Sequence, residues 1–284
     1  MSLKSGYLID NFKIDRLIGS GGFSNVYLAT NIINYKKYAI KEYYPYGLAT
    51  RIGNKIIPIS KYRENFIWAK NKFMEEAQIL VRFNNPNIVD IVQVCEIDEN
   101  AYLIMEFIEG TTINNWLKQI EDTANQIELD LIIKPILNAL KLIHKNKLLH
   151  RDISPDNIIL RKDLSPVLID FGAAREALSR KQGVTSAIVK DGLSPPEQYS
   201  ITGENQGPWS DIYSLSATIY YSITKKFPTQ STIRIINDDL MSLNYLYIKG
   251  YRKEFLQAIE WGLQLEIKNR PKNVEEWQNL IDMN

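Results

Sequence analysis

In the N-terminal third of the chain, apolar residues come in short β-branched and aromatic runs: NVYLAT, KKYAIKEYY, NIVDIVQVCEI and AYLIMEFI. Gly, Asn and Asp clusters separate them, which predicts antiparallel strands. One stretch breaks that rhythm. ENFIWAKNKFMEEAQILVRF places Phe66, Ala69, Phe73, Ala77 and Leu80 at intervals of three and four, predicting an amphipathic helix that stops at NNPN. After Gly110 the pattern turns helical, in LDLIIKPILNALKLIHKN, SDIYSLSATIYYSIT, KEFLQAIEWGL and VEEWQNLI. The chain therefore reads as an α+β protein. A small lobe, an antiparallel sheet plus one main helix, precedes a larger helical lobe, and the change falls near Glu109 and Gly110. Between strand and helix lies EYYPYGLATRIGNKIIPISKYR, an insertion spanning about 43–65 that is too long for a turn. Its RIGNKIIPI portion predicts a small hairpin about Gly53 and Asn54, and the whole reads as a surface insertion.

Composition narrows the partners. The chain has 284 residues, 45% hydrophobic and 24% charged, enough to build one large domain or two lobes. Its 34 Lys+Arg and 33 Asp+Glu nearly cancel, so no global field argues for nucleic acid or an anionic membrane. Any anionic ligand must be held locally. The single cysteine, Cys95, excludes an internal disulfide, and the N-terminus lacks a signal-peptide pattern, so a cytoplasmic location is expected. No run approaches the roughly 18 apolar residues of a membrane span, which leaves segments beyond Asn284 open.

Several short stretches carry candidate chemistry. LIGSGGFSNVYLA sets Gly19, Gly21 and Gly22 between two strand-like runs, where glycine lets backbone N–H groups approach a phosphate. A strand rather than a helix follows, so this is not a dinucleotide fingerprint. YAIK ends on Lys41, and an inward-facing lysine among apolar neighbours requires a carboxylate, since an unpaired buried charge costs roughly 3–5 kcal/mol. The helix offers Glu75 and Glu76, and Glu76 lies beside Ala77 on the apolar face. LLHRDISPDNIIL places Asp152 and Asn157 on one short loop between apolar runs, and PVLIDFGAAR ends a buried strand on Asp170. Asp170 and Asn157 are oxygen donors suited to Mg²⁺, and Asp152 could accept a proton from an incoming hydroxyl.

In this order and at these intervals, the Gly-rich loop, strand Lys, helix Glu, HRD with an Asn five residues on, and DFG resemble the eukaryotic-like (Hanks-type) serine/threonine protein kinases. HRDISPDNI, LIDFGAAR and PPEQY are most similar to bacterial members. The resemblance implies a kinase N-lobe at 7–109 and a C-lobe at 110–284. It implies ATP as substrate, with Mg²⁺ as cofactor or Mn²⁺ in its place, and protein substrates. By the same resemblance, Ile18, Gly19, Gly21, Gly22 and Val26 cover the nucleotide, Lys41 holds its α- and β-phosphates, and Glu76 orients Lys41. Met105 matches the gatekeeper. The backbone at Glu106 and Ile108 would hold the adenine, with Val26, Ala39 and Ile159 against its faces. Asp152 matches the catalytic base, and Asn157 and Asp170 match the metal ligands. Glu197 in SPPEQY, Asp211 in WSDIYSL and Arg270 in KNRP match the framework that separates protein kinases from small-molecule phosphotransferases of related fold.

Two positions depart from the family pattern. Ser24 replaces the third loop glycine, which costs little where no positive φ is needed. Ser154 stands where serine/threonine kinases carry a lysine, two residues after the catalytic aspartate. Counting back from SPPE, Lys190 takes the place of the family's threonine. The two side chains are expected to be exchanged, with Lys190 delivering the cation and Ser154 the hydroxyl. The alternatives are a pseudokinase or scaffold that binds nucleotide without turnover, supported by Ser154, and a small-molecule phosphotransferase, disfavoured by the Glu197 framework. Ser179, Thr185 and Ser186 are candidate activation-segment phosphosites, Thr185 preferred. His144 is expected to be a packing or helix-end residue, and His150 a scaffold residue of the loop.

Overall fold

A computed structural model describes residues 2–172, 189–200, 204–243 and 250–283. The described residues form two compact units, one up to Ile108, the other from Glu109 onward.

The first unit is built on six antiparallel strands in the order β1-β2-β3-β4-β8-β7. These are β1 (Leu8–Ile9), β2 (Phe12–Ser20), β3 (Ser24–Asn31), β4 (Lys37–Tyr43), β7 (Ile91–Ile97) and β8 (Asn100–Glu106). β-branched and aromatic residues fill one face: Ile9, Phe12, Ile14, Tyr27, Ile40, Tyr102 and Ile104 form a buried cluster. The insertion contains the hairpin of β5 (Ala49–Ile52) and β6 (Lys55–Pro58), turning at Gly53 and Asn54. Helix α1 (Arg63–Leu80) follows, and the five apolar positions spaced along it are all buried. Lys70 of α1 is buried too, its Nζ 2.6 Å from Glu96 Oε1 and 2.9 Å from the Glu99 carbonyl.

The second unit begins with a three-stranded sheet, order β11-β10-β9, of β9 (Thr111–Thr112), β10 (Ile158–Leu160) and β11 (Pro166–Leu168). Its helices are α2 (Ile113–Gln119), α3 (Gln126–Lys145), α4 (Pro208–Thr224), α5 (Ser231–Arg234), α6 (Lys253–Gly262) and α7 (Val274–Ile281). α2 starts on a Thr112 cap, and α3 on a capping box of Asn125 and Glu128. α4 is buried almost throughout despite its hydroxyls, because Thr218 and Ser222 each donate to a carbonyl four residues back at 2.9 Å. That arrangement buries the first turn of α4, with Asp211, beneath the loop that precedes β10.

Candidate active site

The second unit gathers the loop residues. Asp152 is 5% exposed and Asn157 is 7%. Asn157 Nδ2 donates to the Asp152 carbonyl at 2.8 Å and to Asp152 Oδ2 at 2.7 Å. With the amide nitrogen spent on Asp152, Oδ1 is the side-chain acceptor that Asn157 has left. The Ile169 N–H donates to the Asn157 carbonyl at 3.0 Å, which carries the β10–β11 pairing up to the residue before Asp170. Asp170 and Arg151 both sit at left-handed φ, 62° and 64°. Gly172 then donates its N–H to the His150 carbonyl, and a Cβ there would press on Asp152 Cβ at 3.3 Å. Phe171 lies against the His150 ring with centroids 4.5 Å apart.

Lys190 and Ser154 do come together. Lys190 Nζ donates to Ser154 Oγ at 2.9 Å and pairs with Asp152 Oδ1 at 2.9 Å. Asp152 thus receives Asn157 on one carboxylate oxygen and a lysine on the other.

Beneath the loop, the buried Asp211 carboxylate accepts the backbone N–H groups of His150 at 2.9 Å and Arg151 at 2.8 Å. It also accepts His144 Nε2 at 2.8 Å. His144 is therefore neither mere packing nor a helix-end charge; it is a third donor to Asp211, a role that no local pattern around it signals. Burial pushes the Asp211 carboxyl up, but His144, the charge of His150 and the Arg151 N–H outweigh it and hold it below the ordinary value. Burial pushes the His150 imidazole below its ordinary 6.5, against the opposing pull of Asp211, Asp152 and Asp170.

The Glu197 carboxylate takes Arg270 by both guanidinium nitrogens, at 2.7 and 3.1 Å, and Ser210 Oγ at 2.7 Å. Gln198 Nε2 donates to the Arg151 carbonyl at 3.0 Å, tying this segment to the loop. Ile159 is half-buried on β10, paired with Val167 and Thr112. Ser179, Thr185 and Ser186 lie outside the described residues.

In the first unit, strand register sets one face. Lys41 pairs with Val26 and Leu103, Ala39 with Leu28 and Met105, and Gly19 with Val26. Alternation along the strands then puts Gly19, Val26, Ala39, Lys41 and Met105 on the same side of the sheet. Ile18, Gly21 and Gly22 are exposed, and Ser24 opens β3 without a positive φ. Lys41 is half-buried, with Nζ 5.6 Å from the Phe73 ring centroid. Glu75 is exposed and bound to Lys72 at 2.6 Å, while Glu76 is half-buried one turn from Phe73. The Glu106 N–H is engaged by the Asp90 carbonyl at 2.9 Å, and Ile108, buried, ends the unit.

The fully buried charge on β4 is Glu42, the residue after Lys41. It is 0% exposed and bound by Arg51 from the insertion, so the insertion is not a plain surface loop.

A protein kinase domain model matches residues 12–281. The chain belongs to the protein kinase family. Serine/threonine-protein kinase D of Synechocystis is 32% identical over 235 residues, 78% of this chain and 42% of that protein. The probable serine/threonine-protein kinase PknB of Lactococcus lactis is 29% identical over 284 residues, 94% of this chain and 41% of the relative. The chain thus spans less than half the length of these bacterial relatives. Among solved structures, the apo form of PpkA-294 is 34% identical and superposes with a TM-score of 0.88 over 99% of both chains. The PknI kinase domain of Mycobacterium tuberculosis, at 19% identity and TM-score 0.72, shares the fold. Among the described residues, no helix is long and apolar enough to cross a membrane.

Two outcomes follow for this protein kinase domain. Arg270→Met leaves Glu197 buried without its cation and should cost about 3–5 kcal/mol in denaturant unfolding, much of it recovered when Glu197→Gln is added. His150 is harder to protonate folded than unfolded. The unfolded chain therefore takes up that proton first, and the fold loses stability as pH drops below 6.5. The protein has two histidines. The imidazole NMR signal that survives His144→Gln should still report a neutral ring at pH 6.5, and a ring half-protonated there would contradict the assignment.

Proposed function

We propose that this chain is an ATP- and Mg²⁺-dependent serine/threonine kinase domain acting on protein substrates. The observation that carries this reading is the Asp152 carboxylate, bound by Asn157 on one oxygen and by Lys190 on the other. Asp152 accepts the proton of a Ser or Thr hydroxyl as its oxygen bonds to the γ-phosphorus. The bond to the bridging oxygen breaks, and ADP carries that electron pair away. Lys190, beside Asp152 and Ser154, supplies the positive charge that the family usually places at the Ser154 position, where charge on the transferring phosphoryl group is neutralised. Asn157 Oδ1 and the Asp170 carboxylate are hard oxygen donors of the kind Mg²⁺ takes, few enough to leave room for phosphate oxygens. When bound there, the ion neutralises phosphate charge. Lys41 holds the α- and β-phosphates and Glu76 orients it. Ile18, Gly19, Gly21, Gly22, Val26, Ala39, Met105, Glu106, Ile108 and Ile159 receive the rest of the nucleotide. Relatives named as serine/threonine kinases support hydroxyl acceptors on protein. Autophosphorylation near Thr185 belongs to the same proposal.

Ser154 favours one competing reading, a nucleotide-binding module without turnover. Transfer from radiolabelled ATP to a generic protein substrate separates the two. Wild type should label protein, and Asp152→Ala and Asp170→Ala should not. Lys190→Ala should lower turnover about 100-fold, the scale of losing one preorganised charge stabiliser, with little change in the KM for ATP. Ser154→Lys with Lys190→Thr should restore part of the activity. Wild-type turnover in Lys190→Ala would end the exchange. No labelling by wild type would favour the module.

A further inference from the structure

We propose that the insertion after β4 positions the phosphate-binding loop, with Arg51, Glu42 and the Tyr46 backbone N–H as its positioning groups. This rests on the nucleotide reading above. Three observations support it.

The first is the Glu42 carboxylate, which gathers five donors from three segments, β3, β8 and the insertion. Its register partners supply two, Asn25 Nδ2 at 3.3 Å and Tyr102 OH at 3.3 Å. Tyr27 OH at 2.8 Å and Asn100 Nδ2 at 3.5 Å lie two residues further along the same strands. The cation is Arg51, with a side chain 1% exposed. Arg51 also donates to the Asn54 carbonyl at 3.2 Å and lies 5.3 Å from the Tyr44 ring centroid. A carboxylate this deep needs a counter-charge, and among the described residues the insertion brings it, as Arg51.

Secondly, the same network reaches the glycine-rich loop. Asn25, held by Glu42, accepts Ser20 Oγ on its Oδ1 at 2.9 Å, closing the base of the loop. At the tip, Tyr44 N–H donates to the Phe23 carbonyl at 3.0 Å, and Tyr46 N–H to the Gly22 carbonyl at 2.7 Å. In a trans peptide the N–H points opposite the C=O. Fixing those two carbonyls on the insertion therefore turns the Phe23 and Ser24 N–H groups to the other side. A phosphate is bound by N–H groups arrayed in that way.

Thirdly, the end of β4 is tied to α1 across the insertion by Tyr43, whose hydroxyl donates to the Phe66 carbonyl at 3.1 Å. Loop, Lys41 and the helix of Glu76 thus share one anchor at 42–46. The glycine-rich loop is preset by the chain and does not wait for the nucleotide to order it, which lowers the cost of binding.

The turn at Pro45, Tyr46, Gly47 and Leu48 provides a clean test. Leu48 N–H donates to the Pro45 carbonyl at 3.2 Å, and Gly47 has φ 82°. Tyr46 is the second residue of that turn, where proline is favoured. Tyr46→Pro removes one N–H at an exposed position and keeps the turn.

Affinity for Mg·ATP by calorimetry, with KM and kcat from the radiolabel assay, would be compared across variants. Tyr46→Pro and Arg51→Met should each weaken ATP about tenfold or more, in affinity and KM, while kcat at saturating ATP changes little. Arg51→Lys should recover part of the loss. Should Arg51→Met fail to fold, Tyr46→Pro and Arg51→Lys still decide. ATP binding by Tyr46→Pro equal to wild type overturns the inference and leaves the nucleotide reading standing. A fall in kcat alone, with ATP affinity unchanged, overturns it as well. A wild type that binds no ATP overturns both.

Discussion

A carboxylate removed from water must be met by donors or lose its charge, and four carboxylates among the described residues are buried under that constraint. Glu42 collects two tyrosines, two asparagines and an arginine. Asp152 takes an amide and a lysine, Glu197 a bidentate arginine and a serine, and Asp211 two backbone N–H groups and an imidazole. Each set draws on segments far apart in sequence. Satisfying one carboxylate therefore fixes several elements at once, and the fold around the candidate site is largely the sum of those demands.

The loop at 150–157 illustrates the consequence. Left-handed backbone at Arg151 and Asp170 is uphill by about 1–3 kcal/mol each for non-glycine residues, so it persists only where the surroundings overdetermine it. At Arg151 the N–H is held by Asp211 and the carbonyl by Gln198. Asp170 lies between the Ile169 N–H bound to Asn157 and the Gly172 N–H bound to His150. The strain is thus tied off on both sides, and the side chains of Asp152, Asn157 and Asp170 inherit a fixed origin. Under the proposed function, positioning of this kind matters because phosphoryl transfer asks the protein for geometry and charge more than covalent work.

What could be read from the sequence follows from how local each signal is. α1 was legible because its apolar spacing spans about four turns, and the loop at 150–157 because its functional groups sit within eight consecutive residues. Lys190 was found by counting from SPPE, a fixed offset along one segment. β9, β10 and β11, of two or three residues, are too short to show a period, and α2 has only two turns. Glu42 and Arg51 escaped for a different reason. Glu42 stands in a strand beside a lysine that resembled the buried charge, and Arg51 stands in a polar hairpin. Only strand register and the fold of the insertion bring them together. His144 was hidden likewise, since the carboxylate it serves lies 67 residues away.

The exchange between Ser154 and Lys190 also changes what the cation depends on. A lysine on the catalytic loop would be fixed by the loop's own scaffold. Lys190 is held instead by a turn, its carbonyl accepting the Leu193 and Ser194 N–H groups and its N–H reaching Ser194 Oγ at 3.0 Å. That turn is seated in its own unit. Ser231 Oγ donates to the Ser194 carbonyl at 2.8 Å, and Gly192, at φ 75°, packs where a Cβ would lie 2.4 Å from the Pro228 carbonyl. Under the proposed function, the charge facing the transferred phosphoryl group arrives only when residues 190–194 are docked on α5 and the chain before it. A kinase of this construction makes its electrostatic term conditional on the seating of a segment, where the usual arrangement makes it a permanent property of the loop.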